Sequence, residues 1–373
     1  MEHPKDTERN VVPLWLIFVL SGILLQMLLI IIFILLVRFR VFRCLPIDNL
    51  ISPATPTTVV YTPEPEKPVE TRPAITTPEP IIIHIPTEAP TEEPTPEPTP
   101  VPDSFLFGGK TVKTGTTKLR GKDLGINGKK NALTHITDEE VQNLVALCPD
   151  LEVLDLDYCY MDDYAPLGAL IHLREVQLSS CGVGDGNAIE DIDWVAGLTE
   201  LRSLNLVHNE IRDTSALEGL TALEWLNLGD NALTDEDLEP IGKLENLDML
   251  YLYSLAQITD VAPLSELSNL TYLHLGGDGS LRDVKPLISL KNLAYLRLND
   301  TKVSDLSCFG NFSALKKLDL SRCPIRTDTV YHLQDCKKLE TIVLDMGDSD
   351  TYLAVLDLIN LGCPFHFLYS WSE

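Results

Sequence analysis

The sequence is poor in basic residues, in cysteine and in aromatic residues. Its 373 residues include 29 Lys and Arg against 55 Asp and Glu, which gives a formal net charge of −26. A chain this acidic repels phosphate backbones, so we predict that nucleic acid is not a partner. Eight cysteines are too few to build a disulfide-stabilised scaffold of this length.

Motifs for catalysis are also missing. The sequence contains no G-x-S-x-G, H-E-x-x-H, C-x-x-C or P-loop pattern. Gly182, Gly184 and Gly186 resemble the start of a dinucleotide-binding turn, but Asn187 stands where the third glycine is required. The acidic stretch 184–193 offers oxygen ligands for Ca²⁺ without the EF-hand spacing, so a plain surface loop is favoured. We predict no enzyme activity, no cofactor and no metal site.

Residues 11–37 form one long stretch without charge, with 27 consecutive uncharged positions. A bilayer core requires roughly 20 apolar residues, so this stretch predicts a single transmembrane helix. A cleaved signal peptide is the alternative. It is less favoured because the apolar regions of signal peptides run ~7–15 residues and no A-x-A-like site follows.

The charges that flank this stretch bear on its orientation. Lys5 and Arg9 precede it, and Arg38, Arg40 and Arg43 follow it. The positive-inside rule, applied to this margin of one residue, favours a cytoplasmic C-terminal side. A long domain after the helix weakens the rule, so the charges alone leave the orientation open.

A proline-rich stretch follows the apolar one. Between Pro46 and Pro102, 16 of 57 residues are proline, and they alternate with Thr and Glu. Proline fixes φ and removes the amide donor, so neither a helix nor a central strand is expected here. The composition predicts a disordered linker that favours extended polyproline II. A ligand for SH3 or WW grooves is the alternative, and it is less favoured because no basic residues flank the Thr-Pro and Glu-Pro steps.

The C-terminal part repeats a leucine pattern at a nearly fixed period. Intervals of 22 to 28 residues separate the nine starting leucines, which are Leu151, Leu173, Leu201, Leu223, Leu247, Leu270, Leu293, Leu315 and Leu339. L-x-x-L-x-L follows most of them, and its L-x-L part has the two-residue period of a strand. A single repeat cannot bury its leucines alone, so we predict that the repeats stack into one continuous array.

This pattern resembles the leucine-rich repeat family, in particular the 22-residue subclass typified by bacterial internalins. The resemblance implies an α/β solenoid, a horseshoe with a parallel sheet on its concave side and short 3₁₀ or helical segments on its convex side. A Pro/Thr-rich spacer before a repeat array also resembles surface proteins of Gram-positive bacteria, which favours an array outside the cell.

The resemblance further implies that Asn or Cys at the ninth position of each repeat bonds the backbone at the turn that leaves the strand. The ninth positions are Cys159, Cys181, Asn209, Asn231, Leu255, Asp278, Thr301 and Cys323. An inserted residue is expected to shift the turn at Leu255 and Asp278. Cys159 and Cys181 lie one repeat apart, within disulfide reach, but two buried thiols are favoured because both fit the ninth position.

An Asp recurs shortly after the ninth position, where its side chain is expected to cap the convex turn. These residues are Asp213, Asp235, Asp260, Asp283 and Asp305. Both ends of the array carry cap signals. Thr137 and Glu140 fit a capping box. Residues 351–361 read as a helix ended by Gly362, and residues 365–371 read as a closing strand.

The outward positions of the strands predict the binding surface. Leucines fill the core, so aromatic residues at these positions are not needed for folding, and Tyr, Trp and Arg are enriched at interface hot spots. The predicted ligand-binding residues are Trp225, Tyr251, Tyr253, Tyr272, His274, Tyr295 and Arg297. Asp155, Asp157, Asp300 and Asp319 are expected to form a polar rim. A purely structural stack of rings between adjacent strands is the alternative.

These observations predict a membrane-anchored leucine-rich repeat protein that binds a protein or glycan outside the cell, with the lipid bilayer around residues 11–37. A membrane-tethered cytoplasmic scaffold is the alternative. The expected parts are an N-terminal tail (1–10), a transmembrane helix (11–37), a linker (38–103), an N-terminal cap (104–150), the repeats (151–346) and a C-terminal cap (347–373).

Overall fold

The computed structural model describes residues 100–126, 133–181, 188–277, 279–345, 349–360 and 366–370. The predicted transmembrane helix at 11–37 and nearly all of the predicted linker lie outside these residues. Among the residues that are described, no helix combines the length and the apolar character needed to cross a membrane.

Within the described residues, eleven short strands form one sheet in which every neighbouring pair is parallel. They are β3 (Lys118–Arg120), β5 (Val153–Asp155), β7 (Glu175–Gln177), β8 (Ser203–Asn205), β9 (Trp225–Asn227), β10 (Met249–Tyr251), β11 (Tyr272–His274), β12 (Tyr295–Arg297), β13 (Lys317–Asp319), β14 (Thr341–Asp345) and β15 (His366–Ser370). Two smaller pairs flank it, the antiparallel β1 (Ser104–Phe107) with β2 (Lys110–Lys113) and the parallel β4 (Thr134–Ile136) with β6 (Cys159–Met161).

Helical segments connect the strands. The α-helices are α1 (Gly121–Leu124), α2 (Asp138–Leu147), α3 (Leu238–Ile241) and α4 (Ser349–Asn360). The 3₁₀ helices are Ala165–Ala169, Asp193–Val195, Ser215–Leu217, Asp235–Asp237, Ala262–Glu266, Lys285–Ser289, Phe309–Asn311 and Thr327–Asp335. The solenoid with one long parallel sheet that the leucine pattern predicts is therefore confirmed.

The core lies between the sheet and the connecting segments. The central residue of each three-residue strand points into it, and Leu226, Leu250, Leu273 and Leu296 have no exposed surface. Burying one such side chain contributes roughly 1.5–3 kcal/mol. Because the strand neighbours of these leucines point the other way, residues three and five of every repeat form two columns on the concave face.

Side chains at the ninth position bridge adjacent repeats. Asn209 donates from Nδ2 to the carbonyls of Leu178 and Leu206 at 3.0 Å each, and its Oδ1 accepts from the amide of Ile189 at 3.4 Å. Asn231 repeats this arrangement one repeat later, with Nδ2 donating to the carbonyl of Leu206. The backbone-bonding role that the resemblance implies is confirmed for both asparagines.

A backbone feature that the leucine pattern does not reveal recurs just before the ninth position. In the repeats that begin at Leu151 to Leu315, the eighth residue has a positive φ, between 55° and 84°, and these residues are Tyr158, Ser180, His208, Asp230, Ser254, Gly277, Asp300 and Arg322. The expected shift of the turn at Leu255 is wrong, because Ser254 keeps the left-handed conformation and Leu255 enters the core at 4% exposure. Asp278 lies outside the described residues.

The predicted caps on the convex turns are observed with one exception. Asp213, Asp260, Asp283 and Asp305 each accept from the amide two residues later at 2.7–2.8 Å. Asp235 instead accepts from the amides of Thr259 and Asp260 in the next repeat. The reason is local, because Thr234 and Asp237 already form a capping box at that turn.

Both end caps contain the predicted elements. Thr137 and Glu140 form the capping box of α2. At the other end α4 spans Ser349–Asn360, and β15 adds to the sheet beside β14. Gly362, which was expected to end the helix, lies outside the described residues.

Candidate binding surface

Four adjacent strands bring the predicted aromatic residues together. In strands β9 to β12, Trp225, Met249, Tyr272 and Tyr295 are aligned in one column. Asn227, Tyr251, His274 and Arg297 are aligned in the parallel column beside it. Tyr253 follows β10 by two residues and points to the same face. All seven predicted binding residues therefore belong to one region of the concave face.

The rings form a continuous cluster, which we call the aromatic patch (Trp225, Tyr251, Tyr253, Tyr272, His274 and Tyr295). Ring centroids lie 5.4 Å apart for Trp225 and Tyr251, 4.8 Å for Tyr251 and Tyr272, 6.2 Å for Tyr272 and Tyr295, and 4.9 Å for Tyr253 and His274. Tilted pairs at these distances add about 0.5–1.5 kcal/mol each beyond their burial. The rings therefore stabilise the stack of strands, as the structural alternative predicts, and this role is compatible with binding.

Tyr272 occupies a different position in the patch from the one the sequence predicts. Its side chain is only 4% exposed, whereas the other rings are half-buried. Tyr251 and Tyr295 cover it from either side. Tyr272 is therefore a support for the exposed rings, and the prediction that it contacts a ligand directly is corrected. The contact roles of the other six residues stay predictions.

A glycine positions Tyr253. A Cβ at Gly229 would lie 2.6 Å from Cε1 of Tyr253, which is closer than real Cβ contacts. The tyrosine ring therefore packs directly against the backbone of the preceding repeat. A larger residue at position 229 would displace the ring from the concave face.

Basic residues border the patch on one side. The Nζ of Lys317 lies 5.2 Å from the centre of the Tyr295 ring, within the range of a cation–π contact. Nε of Arg297 lies 3.3 Å from Oδ2 of Asp319, whose side chain is 14% exposed. Of the predicted rim, Asp319 and Asp300 are thus engaged with arginines, the latter with Arg322. Sequence reasoning missed Lys317 as a neighbour of the rings, although its place in the column was readable from the repeat.

Tyr251 and His274 are uncharged near neutral pH. Burial raises the pKa of Tyr251 to about 12. Burial, together with the positive charge of Arg297, lowers the pKa of His274 to about 4. The Nε2 atom of His274 lies 3.3 Å from Oδ1 of Asn299, so the neutral imidazole donates this hydrogen bond. The patch consequently offers ring faces and neutral donors rather than charge.

We expect His274 to make folding stability sensitive to acid. Its folded pKa of about 4 lies below the unfolded value of ~6.5, so the unfolded chain binds the proton more tightly between these pH values. The stabilisation is complete above pH ~6.5 and is lost as the pH falls through 4, by about 3 kcal/mol in total. Urea denaturation across pH 4–7 should show that the free energy of unfolding of His274→Gln falls less steeply with decreasing pH than that of the wild type. The exposed His332 provides the matched His332→Gln control, and equal pH profiles for the two variants would contradict the assignment.

The described residues contain no group of three or more His, Cys, Asp or Glu side chains arranged to hold a metal ion. Residues 184–187 of the acidic stretch 184–193 lie outside them. Cys159 and Cys181 are free thiols, and both are buried. Burial raises the pKa of Cys159 to about 12, so this thiol stays protonated and unreactive.

Comparisons with known proteins agree with this geometry. A family model described as "Leucine rich repeat" matches residues 171–233. An internalin (inlF) of Listeria monocytogenes is 24% identical, with a TM-score of 0.50, over 61% of this chain and 70% of that chain. An internalin C2 of the same organism is 30% identical over 50% of this chain and 80% of that chain, with a TM-score of 0.43. A leucine-rich repeat protein of Leptospira interrogans is 23% identical over 53% of this chain and 56% of that chain, with a TM-score of 0.45. No curated protein matches the sequence.

The stacked strands, the bridging asparagines and the matching family model define a repeat solenoid with a concave face. Residues 171–233 match the leucine-rich repeat family, and the fold is similar to that of an internalin. Members of this family typically serve as non-enzymatic scaffolds for protein binding.

Proposed function

We propose that the array binds a protein or a glycan on its concave face, with the aromatic patch as the centre of the contact. One observation carries the proposal. Half-buried rings lie side by side on strands whose leucines already fill the core, so the rings present apolar surface that folding does not require. Contiguous exposed apolar surface of this kind marks interaction sites.

The composition of the patch suits a hot spot. Trp, Tyr and Arg supply large rigid contact area at low entropic cost, and they dominate measured interfaces. Tyr251 and Tyr253 keep protonated hydroxyls that donate hydrogen bonds, and the ring faces stack equally well on a partner side chain or on a sugar ring. Lys317 and Arg297 add a charged edge that helps to set the orientation of the partner.

We further propose that the array is of the 22-residue internalin-like subclass and is displayed outside the cell by the apolar stretch 11–37. The support is the length of that stretch, the proline-rich spacer of 57 residues and the internalin-like fold. The spacer, if extended at ~3.1 Å per residue, would hold the concave face well clear of the bilayer.

A membrane-tethered cytoplasmic scaffold is the second candidate, and it is supported by Arg38, Arg40 and Arg43 after the apolar stretch. Protease treatment of intact cells separates the two functions. Release of the repeat array requires an external location, and complete protection requires an internal one.

Truncating the two outer rings of the patch tests the binding role. The full-length chain would first be screened against panels of surface proteins and glycans. For any ligand so found, we expect Trp225→Ala combined with Tyr295→Ala to weaken binding by about 30-fold, equivalent to ~2 kcal/mol. Each of these rings stacks on one neighbour in the patch, so the free energy of unfolding should fall by about 1–3 kcal/mol while the fold stays intact.

The matched control for this experiment is Tyr331→Ala. Tyr331 is an exposed tyrosine, 37% accessible, that lies on a 3₁₀ helix outside the concave sheet. Its truncation should leave affinity unchanged. Wild-type affinity in the double variant would reject the aromatic patch as the contact surface, while the fold would remain as described.

A further inference from the structure

A second surface of the array has a charge opposite to that of the chain. Residues 302–338 contain seven Lys and Arg against four Asp, a local net charge of +3 in a protein of net charge −26. Three of these lysines, Lys316, Lys337 and Lys338, line one cavity of about 580 Å³ together with Leu339, Glu340 and His366. We call this cavity the lysine pocket.

The backbone of three successive segments holds the lysine pocket together. The amide of Glu340 donates to the carbonyl of Lys316 at 2.8 Å, and the amide of His366 donates to the carbonyl of Glu340 at 2.7 Å. Lys337 and Lys338 lie in the turn that enters β14. Lys337 and Lys338 follow Lys316 by one full turn of the solenoid, so stacking of successive turns brings the three lysines to one pocket.

Little inside the described part of the chain neutralises these lysines. Lys337 has Asp335 at 3.9 Å, the outer limit of an ion pair, and it donates to the carbonyl of Gln334 at 3.3 Å. None of the ion pairs among the described residues includes Lys316 or Lys338. Placing like charges close together costs free energy, and the packing of the apolar core does not require this cluster of lysines. Glu340 is the carboxylate in the lining.

We propose that the lysine pocket binds a phosphate or sulfate ester carried on a small sugar unit. Each Lys ammonium group is a mobile point charge with three hydrogen-bond donors. This suits the tetrahedral oxygens of a phosphate or sulfate ester better than a planar carboxylate. The volume leaves room for the carrier beside the anion, and Leu339 supplies an apolar wall. The negative field of the rest of the protein and the carboxylate of Glu340 disfavour long polyanions, so the ligand is short.

Titration of the full-length chain in neutral detergent tests the proposal, with glucose 6-phosphate and glucose 6-sulfate as probes. Inorganic phosphate tests for recognition of the free anion, and glucose is the uncharged control. We expect both esters to bind more tightly than inorganic phosphate, with affinity that falls as ionic strength rises. Lys337→Gln combined with Lys338→Gln should weaken ester binding at least tenfold, and Glu340→Gln should strengthen it.

Lys291 provides a matched control. It occupies the same turn position two repeats earlier, and its Nζ donates to the carbonyl of Ile288 at 2.7 Å, as Lys337 does to Gln334. Lys291→Gln should leave ester affinity unchanged. Equal loss in this variant and in the double lysine variant would overturn the proposal, as would binding of inorganic phosphate alone or of no probe at low salt. The variant with Trp225 and Tyr295 truncated should bind the esters normally, since the pocket is independent of the proposed function.

Discussion

Tyr272→Ala should lower the free energy of unfolding by about 3–5 kcal/mol, the range found when large buried side chains are truncated. The residue lies on the concave face, where a substitution would ordinarily be expected to affect binding alone. Its 4% exposure and its contacts with Tyr251 and Tyr295 place it in the packed interior of the patch. Removing the ring leaves a cavity beneath both neighbours, and chemical denaturation monitored by circular dichroism would measure the loss.

Tyr272→Phe separates the ring from its hydroxyl. The hydroxyl interacts with Arg297, and a hydrogen bond of this kind contributes about 0.5–1.5 kcal/mol. The Phe variant should therefore retain most of the stability that the Ala variant loses. If Ala and Phe were equally stable, the ring would not be packed as described, and Tyr272 would return to the set of contact residues.

Asn209→Ala should lower the free energy of unfolding by about 2–4 kcal/mol, because each buried polar group left without a partner costs about 1–3 kcal/mol. The change removes the donor to the buried carbonyl of Leu178 and the acceptor for the amide of Ile189. Asn209 is 5% exposed, so water cannot readily replace the side chain. The carbonyl of Leu206 keeps its bond from Asn231. Urea denaturation of the full-length chain would measure the difference.

Asn246→Ala is the matched control, since Asn246 also donates from Nδ2 to a carbonyl of the preceding repeat, that of Thr221 at 2.8 Å. This asparagine is exposed, and water can satisfy the carbonyl once the side chain is gone. We expect a loss below about 1 kcal/mol. If both variants lost a similar free energy of unfolding, burial would not determine how much these hydrogen bonds between repeats stabilise the fold.

Together these variants separate two roles on one surface. The outer rings of the patch should contribute to affinity and less to stability than Tyr272 does, and Tyr272 should contribute to stability alone. Neither set of variants should change the affinity of the lysine pocket for the sugar esters. Each role depends on where stacking places a side chain relative to solvent, and this cannot be read from residue type alone.

Much of the fold was predictable because the repeat period carries it. Leucines at the strand positions determine which residues face inward, so the repeat alone aligns the columns that contain Trp225, Tyr251 and Arg297. Asn209 and Asn231 were recognisable from their ninth position in the repeat. The capping box at Thr137 was equally readable, since it depends only on two residues three apart.

Other features could not be predicted because they depend on contacts between repeats. The left-handed residue at position eight carries no common side chain, since Ser254 and Arg322 share it with Gly277. Asp235 bonds to the next repeat because Thr234 already caps its own turn. The first feature leaves no mark in the local sequence pattern, and the second needs the contact with the next repeat as well as the local capping box.

The amino-acid sequence by itself determined the stacked array and the identity of its two concave columns, because a strand period and a repeat period together define which side chains share a face. Only the tertiary structure decided which members of those columns are covered. Tyr272 is buried by rings from the strands on either side, and Lys316 meets Lys337 and Lys338 across a turn. Burial and local charge depend on neighbours from successive turns of the solenoid, and the packing of the solenoid determines those neighbours.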